Sequence, residues 1–201
     1  MNVEAQERSE LFYERMIIMT VKDIQPEALY MISSGVYIVS TGYEGTFNGQ
    51  IANTAMQLTG PPEICLATAL HKDNYTTELL RKSGQFSLSV LDETVPMTFI
   101  GNFGFKCGRD VDKFAKCEFQ LHGQCLPIVT QHTLATLCAK VIHEYELHTH
   151  ILFVGEVIRA DLIASGTPLT YRMYHEIKKG KSPKHAPTFI LNEASPAAKK
   201  G

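Results

Sequence analysis

Asn48-Gly49-Gln50-Ile51-Ala52-Asn53-Thr54-Ala55-Met56-Gln57-Leu58-Thr59-Gly60-Pro61-Pro62 is the stretch on which the fold turns. From Asn48 to Thr59 it reads as an extended, strand-like segment, and the Pro61-Pro62 pair ends it because proline brings no N–H to a ladder. Before it, Gly35-Val-Tyr-Ile-Val-Ser40 is a compact β-branched run, and Thr41-Gly-Tyr-Glu-Gly45 carries turn chemistry. After it, Ile64 to Leu70 is a further strand candidate. Gln85 to Leu91 alternates, with Phe86, Leu88 and Val90 on one face, and predicts a half-buried strand. Ile151 to Ile158 reads as a strand buried on both faces in its first half. Asn74 to Gly84 is punctuated as a helix: Asn74 to cap it, Glu78 in the first turn, Arg81 and Lys82 in the last, and Gly84 at C′. A shorter helix is expected around Gln25 to Ile32, with Pro26 in its first turn. Thr133 to Leu147 fits a helical stripe and a strand alternation equally well. Strands outnumber helices and are not interleaved with them, so a barrel or sandwich is expected rather than a doubly wound sheet.

The 201 residues suffice for one domain, with 44% apolar residues and a formal charge of −2. That balance supplies no basic field for nucleic acid or an anionic membrane. No apolar run reaches the roughly 18 to 20 residues of a membrane span. The first twenty residues mix charges with a single four-residue apolar patch, Met16 to Met19, unlike a secretory signal. Residues 1–23 therefore read as an N-terminal extension, 191–201 as a flexible tail, and the expected setting is cytoplasmic. Cys65, Cys107, Cys117, Cys125 and Cys138 are odd in number and contain no C-x-x-C, so reduced, mostly packed thiols are expected.

Four blocks in order carry a family resemblance. They are Asn48 to Pro62, His71-Lys-Asp-Asn-Tyr-Thr76, Phe99 to Phe114, and His148-Thr-His-Ile-Leu-Phe-Val-Gly-Glu-Val157 followed by Leu169 to Thr188. Over residues 24–190 the chain resembles the flavin reductase-like family of FMN-binding split barrels, closest to its flavoredoxin and high-molecular-weight rubredoxin branch. The resemblance implies a mainly β fold, a six-stranded antiparallel Greek-key split barrel with flanking helices. It also implies a homodimer with FMN near the subunit interface, and a strand at Thr133 to Leu147. NADH or NADPH is the implied electron donor. The paired C-x-x-C motifs of a rubredoxin module are not in this sequence, so the implied acceptor is separate: free flavin, or a rubredoxin-like or other redox partner.

The implied site follows the blocks. Asn48, Gly49, Gln50, Ile51, Ala52, Asn53, Thr54 and Gln57 are expected to line the flavin ring and ribityl chain, although residue chemistry alone fits an ordinary polar strand as well. His71, Lys72, Asn74 and Thr76 are expected at the phosphate, where a helix N-terminus offers unpaired N–H groups. A capped surface helix is the plainer alternative. His150 is the expected catalytic residue, positioning or buffering a proton near the nicotinamide, with a satisfied barrel histidine as the plainer alternative. His148 would share its strand face, but no further partners stand at ligand spacing, so no metal is expected. The Arg109-Asp-x-Asp-Lys-Phe114 cluster reads as structural, a solvated loop or ion pairs at a dimer seam, with an approach of Gly101 to Phe105 to the partner's flavin as the lesser alternative. Cys107 stands where relatives often carry serine. The Lys178 to Lys184 run reads first as a solvated loop, and the Tyr174-His175 and Gly180 to Pro183 pattern alternatively suits adenine-side phosphates or the dimer partner. Hydride transfer needs nicotinamide C4 held about 3 to 3.5 Å from flavin N5, a positioning task with no obligatory triad. The rival readings are an electron-transfer flavoprotein without NAD(P)H activity of its own, an FMN-free binding module, and a metal enzyme built on His148 and His150.

Overall fold

The computed structural model describes residues 31–123 and 126–180 together with Gln25, Ala28, Leu29 and His185. The expected helix at Gln25 to Ile32 lies partly outside these residues. The strands are β1 (Tyr37–Tyr43), β2 (Thr46–Ala52), β3 (Ala55–Gln57), β4 (Cys65–His71), β5 (Gln85–Leu91), β6 (Phe119–His122), β7 (Leu126–Val129), β8 (Thr133–Glu146) and β9 (His150–Leu162). The helices are α1 (Tyr75–Ser83), α2 (Met97–Gly104) and α3 (Tyr171–Glu176).

Seven strands form one antiparallel sheet in the order β2-β1-β5-β8-β9-β4-β3. β2 and β3 therefore lie at opposite edges, yet only Asn53-Thr54 separates them in the chain. Laid flat, seven strands would span about 28 Å from first to last. The link from Ala52 to Ala55 reaches at most about 11 Å. The sheet must curl until its edges meet, which makes a barrel split along the β2–β4 side. Counted as one strand bent at Asn53-Thr54, β2 and β3 give the expected six-stranded barrel. The sequence reading placed neither the separate β6–β7 hairpin nor the helices α2 and α3.

One apolar cluster fills the barrel, with Val39, Leu66, Leu70, Leu80, Phe86, Leu88, Ile151 and Phe153. A second lies outside it, where Val36, Ile38, Leu91, Ile100, Phe103, Phe114 and Tyr174 pack under α2 and the hairpin. Ile38 and Val39 are neighbours that face opposite clusters, as strand alternation requires. The cover explains why β5 departs from its half-buried expectation. Ser87 and Ser89 are fully buried and donate to the carbonyls of Pro127 (2.6 Å) and Val129 (2.8 Å) on β7. β9 departs the other way: Ile151 and Phe153 are buried while Leu152 and Val154 are half-buried, so it alternates. The ambiguous 133–147 stretch is strand to Glu146, paired with β9 through two register shifts. α1 ends as predicted, with Gly84 at φ 67° and its N–H donating to Leu80 O. Cys65 and Cys138 are buried, Cys117 half-buried and Cys107 exposed. Among the described residues no helix is long and apolar enough to cross a membrane.

β9 passes close over the barrel interior at Gly155. A Cβ there would stand 2.8 Å from the Phe86 ring and 2.9 Å from the Ala139 Cβ. Neither neighbour is a flexible chain end. Gly155→Ala is expected to destabilise the fold by about 1 to 3 kcal/mol through overpacking, read as a lowered urea midpoint; an unchanged midpoint would contradict this packing.

Candidate functional site

A cavity of about 430 Å³ opens on the split side of the barrel, among β2, the end of β4, the start of α1, the Phe103–Gly108 segment and α3. Asn48 and Gln50 stand two apart on β2 and so share a face. Asn48 is 2% exposed, and its Nδ2 donates to Thr76 Oγ1 at 3.0 Å, which ties β2 to α1. Asn48 Oδ1 and Gln50 Oε1 are buried with no hydrogen-bond partner among the described residues. Such a group costs about 1 to 3 kcal/mol when left unpaired, so the wall is polar beyond what the fold itself uses. Gly108 completes the cradle, since a Cβ there would lie 2.2 Å from Asn48 Oδ1.

Asn74, Tyr75 and Thr76 bring the N-terminus of α1 into the same wall. The first-turn N–H groups of a helix have no intrahelical acceptors, and the helix dipole favours an anion there. Asn74 occupies the N-cap position, but its side chain does not cap; Oδ1 lies 3.0 Å from His185 Nδ1. Arg109 pairs with Glu78 of this same chain and covers the Tyr75 ring, 4.4 Å from its centre. The charged cluster thus braces α1.

The β4–β9 register sets His71 opposite His150. Their rings meet edge-on at 5.1 Å, and His185 stacks on His71 at 4.2 Å. Burial, then the His185 charge, holds His71 below the ordinary imidazole pKa against the pull of Asp73. Burial, then His71, does the same to His150, with the His185 backbone opposing more weakly. Both are neutral near pH 7. His150 Nδ1 lies 2.8 Å from Thr149 Oγ1, and its Nε2 is buried with no hydrogen-bond partner among the described residues. His71, Asp73 and His185 each present a ligand atom within 4.8 Å of the others. Imidazole lone pairs lie in the ring plane, and two stacked, parallel rings aim them along separate planes, so this trio suits stacking rather than chelation. His148 is an exposed turn residue and does not share a strand with His150, which corrects the expectation that they point to one face.

Lys113 is the site residue whose role sequence reasoning missed. It lines the cavity at 5% exposure and donates from Nζ to the carbonyls of Gly49 (2.8 Å) and Phe103 (3.2 Å). Burial pushes its pKa down to about 8. Asp112 accepts from the Phe114 N–H instead of pairing with it, and no carboxylate among the described residues forms an ion pair with Lys113. The Asp-x-Asp-Lys-Phe block was legible as a motif, but nothing in its composition separated one buried ammonium from a solvated loop.

Of the sequence-predicted residues, Asn48, Gln50, Ile51, Ala52, Asn53, His71, Asn74, Thr76 and His150 line the cavity. Gly49, Thr54, Gln57 and Lys72 do not. Gly49 turns its carbonyl to Lys113, and its α-carbon faces Ser40 and Phe103, where no Cβ fits. Thr54 lies at the barrel closure, where its carbonyl accepts from Thr68 Oγ1 at 2.8 Å. Gln57 is exposed and donates to Thr59 O, and Lys72 is drawn 3.3 Å from Glu146 across the hairpin end. Phe103 to Phe105 line this chain's own cavity, as do Cys107, Tyr171 and Tyr174.

A curled antiparallel barrel with a polar cleft at its split and an anion-ready helix terminus in the cleft wall is the architecture of a cofactor-binding split barrel. The sequence profile described as flavin reductase like domain matches residues 29–178. The chain belongs to the flavin reductase-like family. It is 44% identical over 164 residues to the ferric-chelate reductase (NAD(P)H) of Archaeoglobus fulgidus, covering 82% of this chain and 96% of that protein. It is 41% identical over 165 residues to the high molecular weight rubredoxin of Moorella thermoacetica, covering 82% and 72%. A solved flavin reductase complexed with NADP+ shares the fold at TM-score 0.62 and 22% identity, covering 73% of this chain and 93% of that one.

Lys113 also writes itself into the pH dependence of stability. Its folded pKa, about 8, lies below its ordinary 10.5. Below pH 8 both states hold the proton and the burial cost is fully present; between 8 and 10.5 the unfolded state holds more protons, so stability rises with pH. At about 1.4 kcal/mol per pH unit of separation, the ligand-free protein should gain about 3 kcal/mol from this group across that window. Denaturant melts of wild type and Lys113→Met over pH 7 to 10.5 should diverge by this slope, and parallel curves would refute it.

Proposed function

We propose that the cavity binds FMN and that the protein is an NAD(P)H-dependent flavin reductase passing electrons to a separate acceptor. The observation that carries this is the pair of buried acceptors without partners among the described residues, Asn48 Oδ1 and Gln50 Oε1, on the wall of a cavity that also holds a helix terminus its own N-cap side chain does not cap. A ligand with ring or ribityl donors at one end and a dianionic phosphate at the other satisfies both. When bound, the flavin supplies the two-electron chemistry between nicotinamide and acceptor.

The chain's residues then divide the work. The first-turn N–H groups of α1 and the Thr76 hydroxyl hold the phosphate. Asn48 and Gln50 accept from the ribityl and ring edge. Ile51, Phe103 and Tyr174 give the ring an apolar wall that excludes water. Neutral His150 keeps Nε2 available to orient the nicotinamide carboxamide or hold a proton beside it. Lys72 is left out of the phosphate site, because it is committed to Glu146.

The names of the relatives support the partners. The Archaeoglobus protein is named for both NAD(P)H and a ferric chelate, and the Moorella relative is a high molecular weight rubredoxin. Ferric chelates, free flavin and a rubredoxin-like protein are the acceptors to assay. The chain is also proposed to pair as a homodimer. Exposed Ile142, Tyr145, Leu147 and Ile158 on the β8–β9 hairpin supply apolar surface for it, and light scattering at micromolar concentration should return twice the chain mass.

The deciding experiment is visible absorption during FMN titration, followed by anaerobic NADH or NADPH. Stoichiometric binding with bleaching supports the proposal. Bound flavin that neither nucleotide bleaches would make the protein an electron-transfer flavoprotein, and no association would make it a binding module for another ligand. Gly108→Val should weaken FMN by on the order of tenfold or more by displacing Asn48, with far-UV circular dichroism unchanged; undiminished affinity would place the flavin elsewhere.

A further inference from the structure

We infer that Lys113 is the residue that stabilises the negative charge of the reduced flavin ring, so that this protein holds reduced flavin more tightly than oxidised flavin. The inference rests on the flavin reading above and assigns a charge-holding role within it.

The geometry is specific. Lys113 reaches back from the loop after α2 into the cavity wall, where its ammonium bridges Gly49 O of β2 and Phe103 O at the end of α2. An ammonium has three N–H donors. Two are used here, on neutral carbonyls, and among the described residues the third has no acceptor, which leaves it for a ligand. Neutral carbonyls do not neutralise a buried charge, and a buried ammonium without a counterion is costly in a way that a functional anion relieves. At 5% exposure Lys113 is shielded from solvent, and Phe103, Ile100 and Ile51 line the same cavity, so a charge interaction there is weakly screened.

Two parts of FMN carry negative charge, the phosphate and, after reduction, the N1–C2–O2 edge of the ring. The phosphate has its own site at the α1 N-terminus, tied to β2 by the Asn48–Thr76 hydrogen bond. Lys113 is bound instead to the Gly49 carbonyl and the end of α2, against the apolar wall where a ring belongs. An ammonium already fixed by two backbone acceptors needs no reorganisation when charge appears in front of it, which is the condition for effective electrostatic stabilisation.

The test compares affinities and needs no turnover. Oxidised and dithionite-reduced FMN and riboflavin are titrated anaerobically into wild type, Lys113→Met and Lys113→Gln. Wild type should bind the reduced form of each flavin more tightly than the oxidised form. In both variants the reduced-to-oxidised affinity ratio should fall by on the order of tenfold, equivalent to about 30 mV for a two-electron couple, and by the same factor for riboflavin as for FMN. A ratio unchanged by substitution overturns the inference while leaving flavin binding intact. So does a loss confined to FMN and equal in both redox states, which would assign Lys113 to the phosphate. If neither variant folds, the wild-type ratio decides, and equal or weaker binding of reduced flavin overturns the role. Wild type that binds neither flavin removes the functional reading itself.

Discussion

The structure depends on a length constraint. Asn53 and Thr54 are all that joins a strand at one edge of a seven-stranded sheet to a strand at the other. Hydrogen bonding would let that sheet lie open, but a two-residue link cannot cross its width. Closure then follows, and so does the position of the cleft, because the polar residues of β2 stand immediately before the link and must face the split. The segment that closes the barrel is therefore the segment that furnishes much of the site.

The site is held at some expense to the fold. Among the described residues, Asn48 Oδ1 and Gln50 Oε1 are desolvated without hydrogen-bond partners, and Lys113 is buried with no carboxylate paired to it. Each of these weakens the ligand-free protein, and the proposed flavin, elongated and with donors along its length, would relieve them. The histidines add a different property. Burial and mutual proximity hold the His71 and His150 imidazoles below their ordinary pKa, so these two rings face the cavity uncharged near pH 7.

Much of this was legible in the sequence. Strand punctuation, the α1 caps and the order of the four blocks gave the barrel, and the block from Asn48 to Asn53 contributes most of the predicted cavity wall. What was not legible has physical causes. The burial of Ser87 and Ser89 depends on the β6–β7 hairpin that covers β5, a contact forty residues away in the chain. The pairing of His71 with His150 depends on cross-strand register, which no local pattern encodes. Lys72 and Lys113 exchange their expected roles because neighbours decide them. Lys72 meets Glu146 across a hairpin end and stays outside, whereas Lys113 meets two backbone carbonyls and goes in. Composition treats both as surface lysines.

The central claim is that one flavin occupies the cleft with its phosphate at the start of α1 and its ring against β2. A crystal structure of the protein soaked with FMN tests it most directly. The account predicts density for the phosphate at the N–H groups of Tyr75 and Thr76, with Asn48 and Gln50 accepting hydrogen bonds from the ligand. A cleft closed by its own side chains, or a flavin bound at any other face, would contradict it.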